Sequence, residues 1–390
     1  MKISSLKSKD YNWKNILLFF VPFFYLYIRV INSYIALIST GSIEGRANYI
    51  IFFTLIGFIL LKRRKFNKTI TSASIFTLYM MIFPLVEGVD NIITYMASYI
   101  IWPVVFYITY NMNYKNKDIE LIGYLGAVTC NITAYLYITL TNMDVYSMLD
   151  ENNAVAGYNS IYNILLAFPF IFLIKNKLHV LVLILLPLSS FVISTKSTCI
   201  LSAIIILCYY LYTTFNSLKT SKKILLMIGS IALVFFFFQF FNLSDTILSL
   251  QEDVDSGGNG RTYIASQVLD KYFNQSTFIE VLWGHGSNSI AKTLRIGAHN
   301  DFLETLYNYG LVGIGFFIYF LYNLIKNIKL LGYNLENKKA YIISLIVFFC
   351  CSMASKLLGT QIQMLLLAMF WGVILKQIDI KYENSINSSI

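Results

Sequence analysis

Long apolar segments, separated by short polar ones, run through almost the whole chain. They are roughly 17 to 24 residues long and recur from residue 16 almost to the C-terminus, and a helix of that length crosses a ~30 Å hydrocarbon layer. A secretory signal would instead give one short apolar stretch followed by a polar chain. The pattern therefore predicts an all-α, polytopic transmembrane helical bundle with no cleaved targeting segment.

About twelve spans are predicted, interrupted by one long polar loop. Spans 1 to 9 belong to residues 1–242, the loop covers residues 243–300, and spans 10 to 12 belong to residues 301–375, before a tail at residues 376–390. We expect one integrated membrane domain. The spans are predicted at residues 16–38, 47–61, 69–86, 92–110, 119–141, 154–174, 178–195, 199–215, 224–242, 302–325, 341–355 and 359–375.

Basic residues are distributed unevenly between the two sides of this topology. If the N-terminus is cytoplasmic, 22 of the 30 lysines and arginines lie in segments on that side, including the run Lys62-Arg63-Arg64-Lys65. The positive-inside rule then makes both termini cytoplasmic and the long loop extracytoplasmic. Because topology explains the net charge of +10, we expect no nucleic-acid binding.

The composition agrees with a membrane protein and offers no protein-ligated metal site. The chain is 57% hydrophobic and 13% charged, with a mean hydropathy of +0.63, which is more apolar than soluble domains are. His179, His285 and His299 lack a metal-binding spacing, so we expect neither a protein-held metal nor a cofactor. The cysteines fall inside predicted spans and leave the long loop without a thiol; they are Cys130, Cys199, Cys208, Cys350 and Cys351.

An acidic segment in the long loop has two interpretations. Glu252-Asp253-Val254-Asp255 contains an Asp-x-Asp, which can hold a divalent ion against a diphosphate in nucleotide-sugar enzymes. A flexible glycine-rich turn follows at residues 256–260. Since nucleotide sugars are not supplied at the outer face, we interpret the segment as a solvated loop.

The rest of the loop contains two predicted helical pieces. Apolar positions spaced for one helix face predict a short amphipathic helix with Arg261 at its N-terminal end; they are Ile264, Val268, Leu269, Tyr272 and Phe273. A second apolar piece, residues 278–283, leads into Gly284-His285-Gly286, a tight turn that we expect to expose an imidazole. Arg295 then precedes His299 by four residues.

The loop enters the tenth span at His299-Asn300. Asp301 and Glu304 have the spacing of a capping box, so the span is predicted to begin near Asn300 or Asp301. Free backbone N–H groups at a helix start disfavour imidazolium, whereas the two carboxylates favour it, so the direction of the His299 pKa shift stays open. A neutral imidazole accepts a proton near pH 7. The alternative is an ordinary surface-loop histidine.

Two further patterns mark this helix. Asn300, Glu304 and Asn308 recur every four residues and form a polar stripe, which in a membrane must face the bundle interior or a wet cavity. Glycines at positions 310, 313 and 315 are interpreted as sites where a neighbouring backbone packs closely.

These landmarks resemble a known superfamily. His299-Asn300, then nine residues, Gly310, two residues and Gly313 are similar to a pattern of the O-antigen ligase and O-antigen polymerase superfamily. Gly260-Arg261 and residues 282–286 look like that family's Gly-Arg and Gly-x-Gly landmarks in the same loop. Residues 194–197, Ser-Thr-Lys-Ser, lie where many members carry Ser-Arg. The matches cover residues 194–200 and 260–315, and the layout of twelve spans with one large outer loop agrees.

The resemblance implies a membrane-embedded glycosyltransferase with a GT-C-like fold, independent of metals, in the bacterial cytoplasmic membrane with its site facing the periplasm. Its donor would be an oligosaccharide on undecaprenyl diphosphate. His299 would activate the acceptor hydroxyl or orient the sugar, and Arg261, with Arg295 and Lys196, would bind the diphosphate. The lysine departs from the family pattern, because an ammonium lacks the planar fork of arginine; the alternative for Lys196 is a snorkelling side chain in a short loop.

Further candidates complete the predicted substrate site. Asn300, Glu304 and His285 are included because they flank His299 or the glycine turn. Arg29, well inside the first predicted span, would line the path of the lipid diphosphate; alternatively it lies near the outer end of a shorter helix.

Three functions remain open at this point. A polymerase would transfer the oligosaccharide chain to another lipid-linked repeat unit, and a ligase would transfer it to lipid A core. We favour the polymerase because polymerases are numerous and divergent. A lipid-linked oligosaccharide flippase is the non-enzymatic alternative, although the chain shows no matched pair of interrupted helices. Expected partners are the lipid-linked donor and acceptor, membrane lipids, a chain-length regulator and a flippase.

Overall fold

The computed structural model describes residues 66–87, 92–112, 114–143, 159–194, 196–216, 261–294, 297–331, 335–358 and 361–387. All regular structure within those ranges is helical, which confirms the all-α prediction. Five of the described helices are long and apolar enough to cross a membrane: Lys68–Glu87, Asn116–Asn142, Ser197–Phe215, Asp301–Leu330 and Glu336–Ala354. Shorter apolar helices accompany them at Ile161–Leu173, Lys177–Ile193 and Gln363–Ile378. These helices support the prediction of a membrane protein.

In chain order the described helices are α1 Lys68–Glu87, α2 Ile92–Asn111, α3 Asn116–Asn142, α4 Ile161–Ala167, α5 Lys177–Ile193, α6 Ser197–Asn216, α7 Arg261–Asp270, α8 Phe278–Trp283, α9 Ser289–Leu294, α10 Asp301–Leu330, α11 Leu335–Ala354 and α12 Gln361–Asn387. A 3-10 helix, Phe168–Leu173, continues α4, and a π-helical turn, Lys271–Gln275, continues α7. Because α12 runs to Asn387, most of the predicted tail is helical.

Nine of the twelve predicted spans fall on described helices, of which five are long and apolar enough to cross a membrane. Each span predicted within the described ranges coincides with a helix, or with α4 and its 3-10 continuation. The spans predicted at residues 16–38, 47–61 and 224–242 lie outside the described residues, as does the loop before residue 261. The count of twelve therefore stays a prediction.

Aromatic side chains fill the centre of the bundle. Trp371 of α12 is fully buried and contacts the rings of Phe106, Phe320 and Phe348, which come from α2, α10 and α11. Its indole Nε1 donates a hydrogen bond of 2.9 Å to Ser344 Oγ, which satisfies the one polar atom of a buried tryptophan. Four helices thus share a single packing centre.

The outer surface of the described helices carries large apolar side chains. On α1, Ile70 and Phe76 are buried, whereas Leu78, Ile82 and Leu85 are more than half exposed. Burying one apolar face while presenting another to the surroundings is a poor arrangement in water. It suits a helix with lipid on its outer side.

The ends of the helices separate into two groups. One group contains Glu87 at the end of α1, Lys196 just after α5, His299 just before α10 and Lys356 just after α11. These positions meet at one end of the bundle. At the opposite end, Asn327 Nδ2 of α10 donates a 2.9 Å hydrogen bond to Thr69 Oγ1 of α1. The charge pattern assigned these groups of segments to opposite sides, and the fold keeps them apart.

The described part of the long loop packs on the first turns of α10. Helices α7, α8 and α9 all contact α10, and a small apolar cluster joins them through Val268, Tyr272, Ile290, Ala298 and Tyr307. Val268 and Tyr272 belong to the predicted amphipathic face, and both are fully buried. Phe273, counted on the same face, is exposed, because the chain widens into the π-helical turn at Lys271 and rotates it outward.

Candidate functional site

Asn300 is the N-cap of α10. Its backbone is extended, with φ −151°, and its side-chain oxygen accepts hydrogen bonds from Phe302 N and Leu303 N at 2.9 and 3.1 Å. Its amide nitrogen donates to Met353 O at 3.2 Å. The predicted start of the helix is confirmed. The predicted capping box of Asp301 and Glu304 is wrong, since the cap is one residue earlier and the two carboxylates bind elsewhere.

The Asp301 carboxylate holds the loop that follows α11. It is 1% exposed and accepts hydrogen bonds from Leu357 N and Leu358 N at 3.2 and 3.1 Å. A buried carboxylate is costly unless its oxygens are satisfied. The two backbone donors therefore fix the α11–α12 connection against the start of α10.

Glu304, 5% exposed, joins three parts of the same end of the bundle. Its Oε1 accepts from Ala298 N at 2.9 Å, its Oε2 accepts from Asn308 Nδ2 at 3.1 Å, and Lys356 Nζ lies 3.5 Å from that Oε2. The polar stripe predicted along this helix face is thus turned inward. Glu304 ties the residue before His299 to α10 and to the α11–α12 loop.

His299 occupies a backbone conformation that L residues rarely adopt. Its φ is +48°, in the left-handed region, which costs on the order of 1 kcal/mol or more for a residue with a side chain. The Ala298 hydrogen bond to Glu304 fixes the chain on one side, and the Asn300 cap fixes it on the other. The backbone of His299 is therefore held on both sides.

The surroundings of His299 favour its neutral form. The ring is solvent-accessible, yet partial burial lowers its pKa from the ordinary value, and the positive charges of Arg261, Lys356 and Lys196 lower the pKa further. The Glu304 carboxylate acts in the opposite direction. The sequence left the direction of the His299 pKa shift open, and in the structure the pKa is lowered, because cations from three other segments add to the effect of burial.

The structure brings several predicted site residues together and adds one. Arg261 and Lys196 act electrostatically on His299, together with Lys356, although the three come from different parts of the chain. Lys356 was not predicted as a site residue. The sequence signal that could have identified Lys356 is its position in a short connection on the same side as the long loop. Its Nζ donates to Asn288 Oδ1 at 2.7 Å and lies beside Glu304.

Arg261 also reaches the helices of the bundle. Its charge acts on the hydroxyl of Tyr162 in α4, which is hydrogen-bonded to the side chain of Thr198 in α6. Arg261 thus acts electrostatically on both His299 and Tyr162. Arg29 and Arg295, the other predicted arginines of the site, lie outside the described residues.

His285 does not belong to this group. Its Nε2 is 2.7 Å from Ser276 Oγ, its Nδ1 is 3.5 Å from Glu280 Oε1, and its ring stacks on Tyr307 at 4.3 Å. The side chain is 17% exposed, so the expectation that the turn exposes this imidazole is wrong. Stacking and two polar partners draw it inward.

Gly310 interrupts α10, and it also lies against a neighbouring backbone, as the sequence predicted. Its φ of +66° and ψ of −168° are not helical. The carbonyls of Tyr307, Asn308 and Tyr309 lose their intrahelical donors there. They accept instead from His285 N at 3.0 Å, Gly286 N at 2.9 Å and Tyr79 Oη at 3.0 Å.

The turn at residues 284–286 packs directly against the break in α10. A Cβ on Gly310 would collide with the backbone of Leu282 and Gly284, and one on Gly284 would collide with the Asn308 carbonyl. Gly284 and Gly286 also have positive φ values, of 87° and 96°. The Gly-x-Gly turn at residues 284–286 and Gly310, the first glycine of the pattern that follows His299-Asn300, therefore contact each other.

The other two glycines have different surroundings. A Cβ on Gly313 would collide with the side chain of Tyr309 and press on Tyr79, so close approach is required there. Gly315 has no atom within 4 Å of that position. The expected close packing is wrong for Gly315, which faces open space.

A water-sized cavity of about 10 Å³ lies next to the buried carboxylates. Its polar walls are formed by Asp301, Glu304, Asn308 and Lys356, together with Tyr99. Among the described residues, no group of three or more His, Cys, Asp or Glu side chains is arranged to hold a metal ion. The described charged groups that act on His299 are Arg261, Lys356, Lys196 and the Glu304 carboxylate.

No model of a known protein family matches the chain, and no curated protein matches it either.

Proposed function

We propose that the protein is a membrane-embedded glycosyltransferase that uses an undecaprenyl-diphosphate-linked oligosaccharide as donor. The observation that supports this most is that Arg261, Lys196 and Lys356, from three parts of the chain, all lower the pKa of His299. A base next to several cations suits a reaction in which a hydroxyl loses a proton and a diphosphate departs. The resemblance of residues 260–315 to the O-antigen superfamily supplies the substrate class.

In the proposed reaction, the acceptor hydroxyl oxygen attacks the anomeric carbon of the donor. The bond between that carbon and the diphosphate oxygen breaks, and its electron pair leaves with undecaprenyl diphosphate. The hydroxyl proton passes to a ring nitrogen of His299. Arg261 stabilises the departing diphosphate with paired N–H donors, which suit phosphate oxygens, and the lysines add positive charge.

We further propose that the acceptor is another lipid-linked repeat unit, which makes the protein a polysaccharide polymerase of the bacterial cytoplasmic membrane. The site would face the periplasm, the side that the positive-inside rule gives to the long loop. In this arrangement both substrates are anchored in one leaflet and reach His299 by lateral diffusion. Chain-length regulators and flippases would act as partners.

Purified protein in detergent tests the class of reaction. Incubated with a lipid-linked oligosaccharide and no membrane gradient, it is expected to produce longer lipid-linked chains. Absence of product under these conditions, together with movement of the oligosaccharide across proteoliposomes, would identify a carrier instead. In cells, loss of the protein is expected to leave single repeat units on lipid A core. Full-length chains accumulating on the lipid carrier would identify a ligase.

A further inference from the structure

A second cavity lies at the opposite end of the bundle from His299. Its volume is about 100 Å³, and its walls come from the end of the 3-10 helix, the start of α5, the end of α6 and the start of α11. One water needs about 10–15 Å³, so this space holds several waters or a small polar group. The proposed glycosyltransferase reaction makes no use of it.

Lys339 is the buried charge of this cavity. The residue lines the cavity and is 9% exposed. Within the described part of the chain its side chain makes neither a hydrogen bond nor a salt bridge; Lys177 repels it and Glu336 attracts it from a longer distance. Most of the side chain is buried, and its ammonium has no acceptor among the described residues, which is an unfavourable arrangement. A bound anion would remove that cost.

The neighbouring side chains leave the cavity positively charged. Lys175 and Lys177, both exposed, stand at its rim, and Glu336 is the acidic residue in its lining. Lys175 has a distant partner in Glu120, at 4.0 Å, a separation at which exposed pairs contribute little. Three ammonium groups therefore face one carboxylate.

The position of the cavity favours a lipid as the source of the anion. Its walls are the ends of apolar helices, so it lies at the level of a membrane headgroup, and Phe172 and Val180 give it an apolar side. Basic pockets between transmembrane helices on the cytoplasmic side are suited to anionic headgroups. By charge distribution this is also the cytoplasmic end.

We propose that this cavity binds the phosphate of an anionic phospholipid, with Lys339 against the phosphate and Lys175 and Lys177 closing over it. The phosphate oxygens supply the acceptors that Lys339 lacks. The acyl chains extend along the apolar side toward the hydrocarbon layer. Binding does not depend on the reaction at His299, which lies at the other end of the helices.

Thermal unfolding of the full-length protein in nanodiscs tests the proposal. In phosphatidylcholine, addition of phosphatidylglycerol is expected to raise the Tm by several degrees, and Lys339→Met is expected to abolish that rise. Lys338→Met is the matched control, because Lys338 carries the same charge on the same helix but does not line the cavity; it should retain the rise. An equal rise in Lys339→Met and the wild type would overturn the proposal.

Two further measurements separate the sources and guard against a misfolded variant. Inorganic phosphate added to phosphatidylcholine nanodiscs is expected to leave the Tm unchanged; a Lys339-dependent rise would identify a site for free phosphate and overturn the assignment to lipid. Should Lys339→Met fail to fold, native mass spectrometry of the wild type from mixed nanodiscs replaces it. Retention of phosphatidylglycerol over phosphatidylcholine supports the proposal, and equal retention contradicts it.

Discussion

The backbone of Gly310 lies directly against the backbone of Gly284, and neither position has room for a Cβ atom. The contact lets the turn at residues 284–286 donate to carbonyls that the break in α10 leaves free. One half of α10 carries the Asn300 cap and the Glu304 network beside His299, so the contact sets the position of the end of the helix that follows His299.

Replacing Gly310 by alanine tests this contact. We expect Gly310→Ala to lower the free energy of unfolding by about 2 kcal/mol or more, because it adds both a positive-φ strain and a backbone collision. Chain extension should fall with it. Chemical denaturation in detergent and a chain-extension assay measure the two effects.

Gly315→Ala is the matched control for that variant. Gly315 lies on the same helix in open space, so alanine there should be neutral or should stabilise the helix by up to about 1 kcal/mol. If both variants behaved alike, the break at Gly310 would have no special role.

Much of this architecture could be predicted from the sequence, and there are physical reasons why the remaining features could not. Apolar length indicates helices well, and a Ser, Thr, Asn or Asp before an apolar run indicates where one starts, so the start of α10 was located to within a residue. The close approach of a neighbouring backbone to Gly310 was predicted, but the break in α10 was not, because a glycine that breaks a helix and a glycine that only permits close packing look alike in sequence. What distinguishes them is the donor supplied by a segment more than twenty residues away.

The site was predictable where local pattern and chemistry coincide. His299 and Arg261 stand at helix starts in a polar loop, and both lie in the region where cations converge. Lys356 was missed because its role depends on contacts with Asn288 and Glu304, which are distant in sequence. The partial burial of His285 was missed for the same reason, since stacking on Tyr307 cannot be inferred from a Gly-x-Gly turn.

The pH dependence of chain extension should report the protonation of His299. Its pKa lies below the ordinary value of 6.5, and the proposed base must be neutral, so activity is expected to persist through neutral pH and to be lost as pH falls through that lowered pKa. The same shift makes the folded state bind fewer protons than the unfolded state below about pH 6.5, so stability should also decline on acidification.

Removing a cation near His299 should shift the pH at which activity is lost on the acidic side of the pH–rate profile. Lys356→Met is expected to raise the pKa of His299 and shift the acidic limb of the rate profile to higher pH. Lys292→Met is the control, because Lys292 belongs to the same loop but pairs with Glu87 at 3.5 Å and does not act on His299. A profile unchanged in Lys356→Met would remove the lysine from the electrostatic surroundings of the base.

Asp301→Asn should destabilise the protein by about 1–3 kcal/mol, since an amide offers one acceptor oxygen where two buried backbone donors need one each. Denaturant titration gives the value. Asp270→Asn, at an exposed carboxylate that accepts from Asn274 and Gln275, should change stability by less than about 0.5 kcal/mol. Equal effects would mean that the Asp301 contacts do not hold the α11–α12 loop.

The two loop histidines should respond differently to the same substitution. His285→Phe keeps the stacking on Tyr307 and loses the contacts to Ser276 and Glu280, so a moderate loss of stability with much of the activity retained is expected. His299→Phe should insert and fold but lose activity. The comparison uses thermal unfolding and chain extension on both proteins; the reverse order of activities would exchange their roles.

The rate of chain extension by purified His299→Ala and Arg261→Lys proteins bears most directly on the proposed site. General base catalysis contributes about 10²–10⁴-fold, so His299→Ala should lose at least two orders of magnitude while remaining folded. Arg261→Lys should remain severely impaired, because a single ammonium cannot replace a paired N–H fork on a diphosphate. Near wild-type rates in His299→Ala would contradict the assignment of the base and, with it, the mechanism.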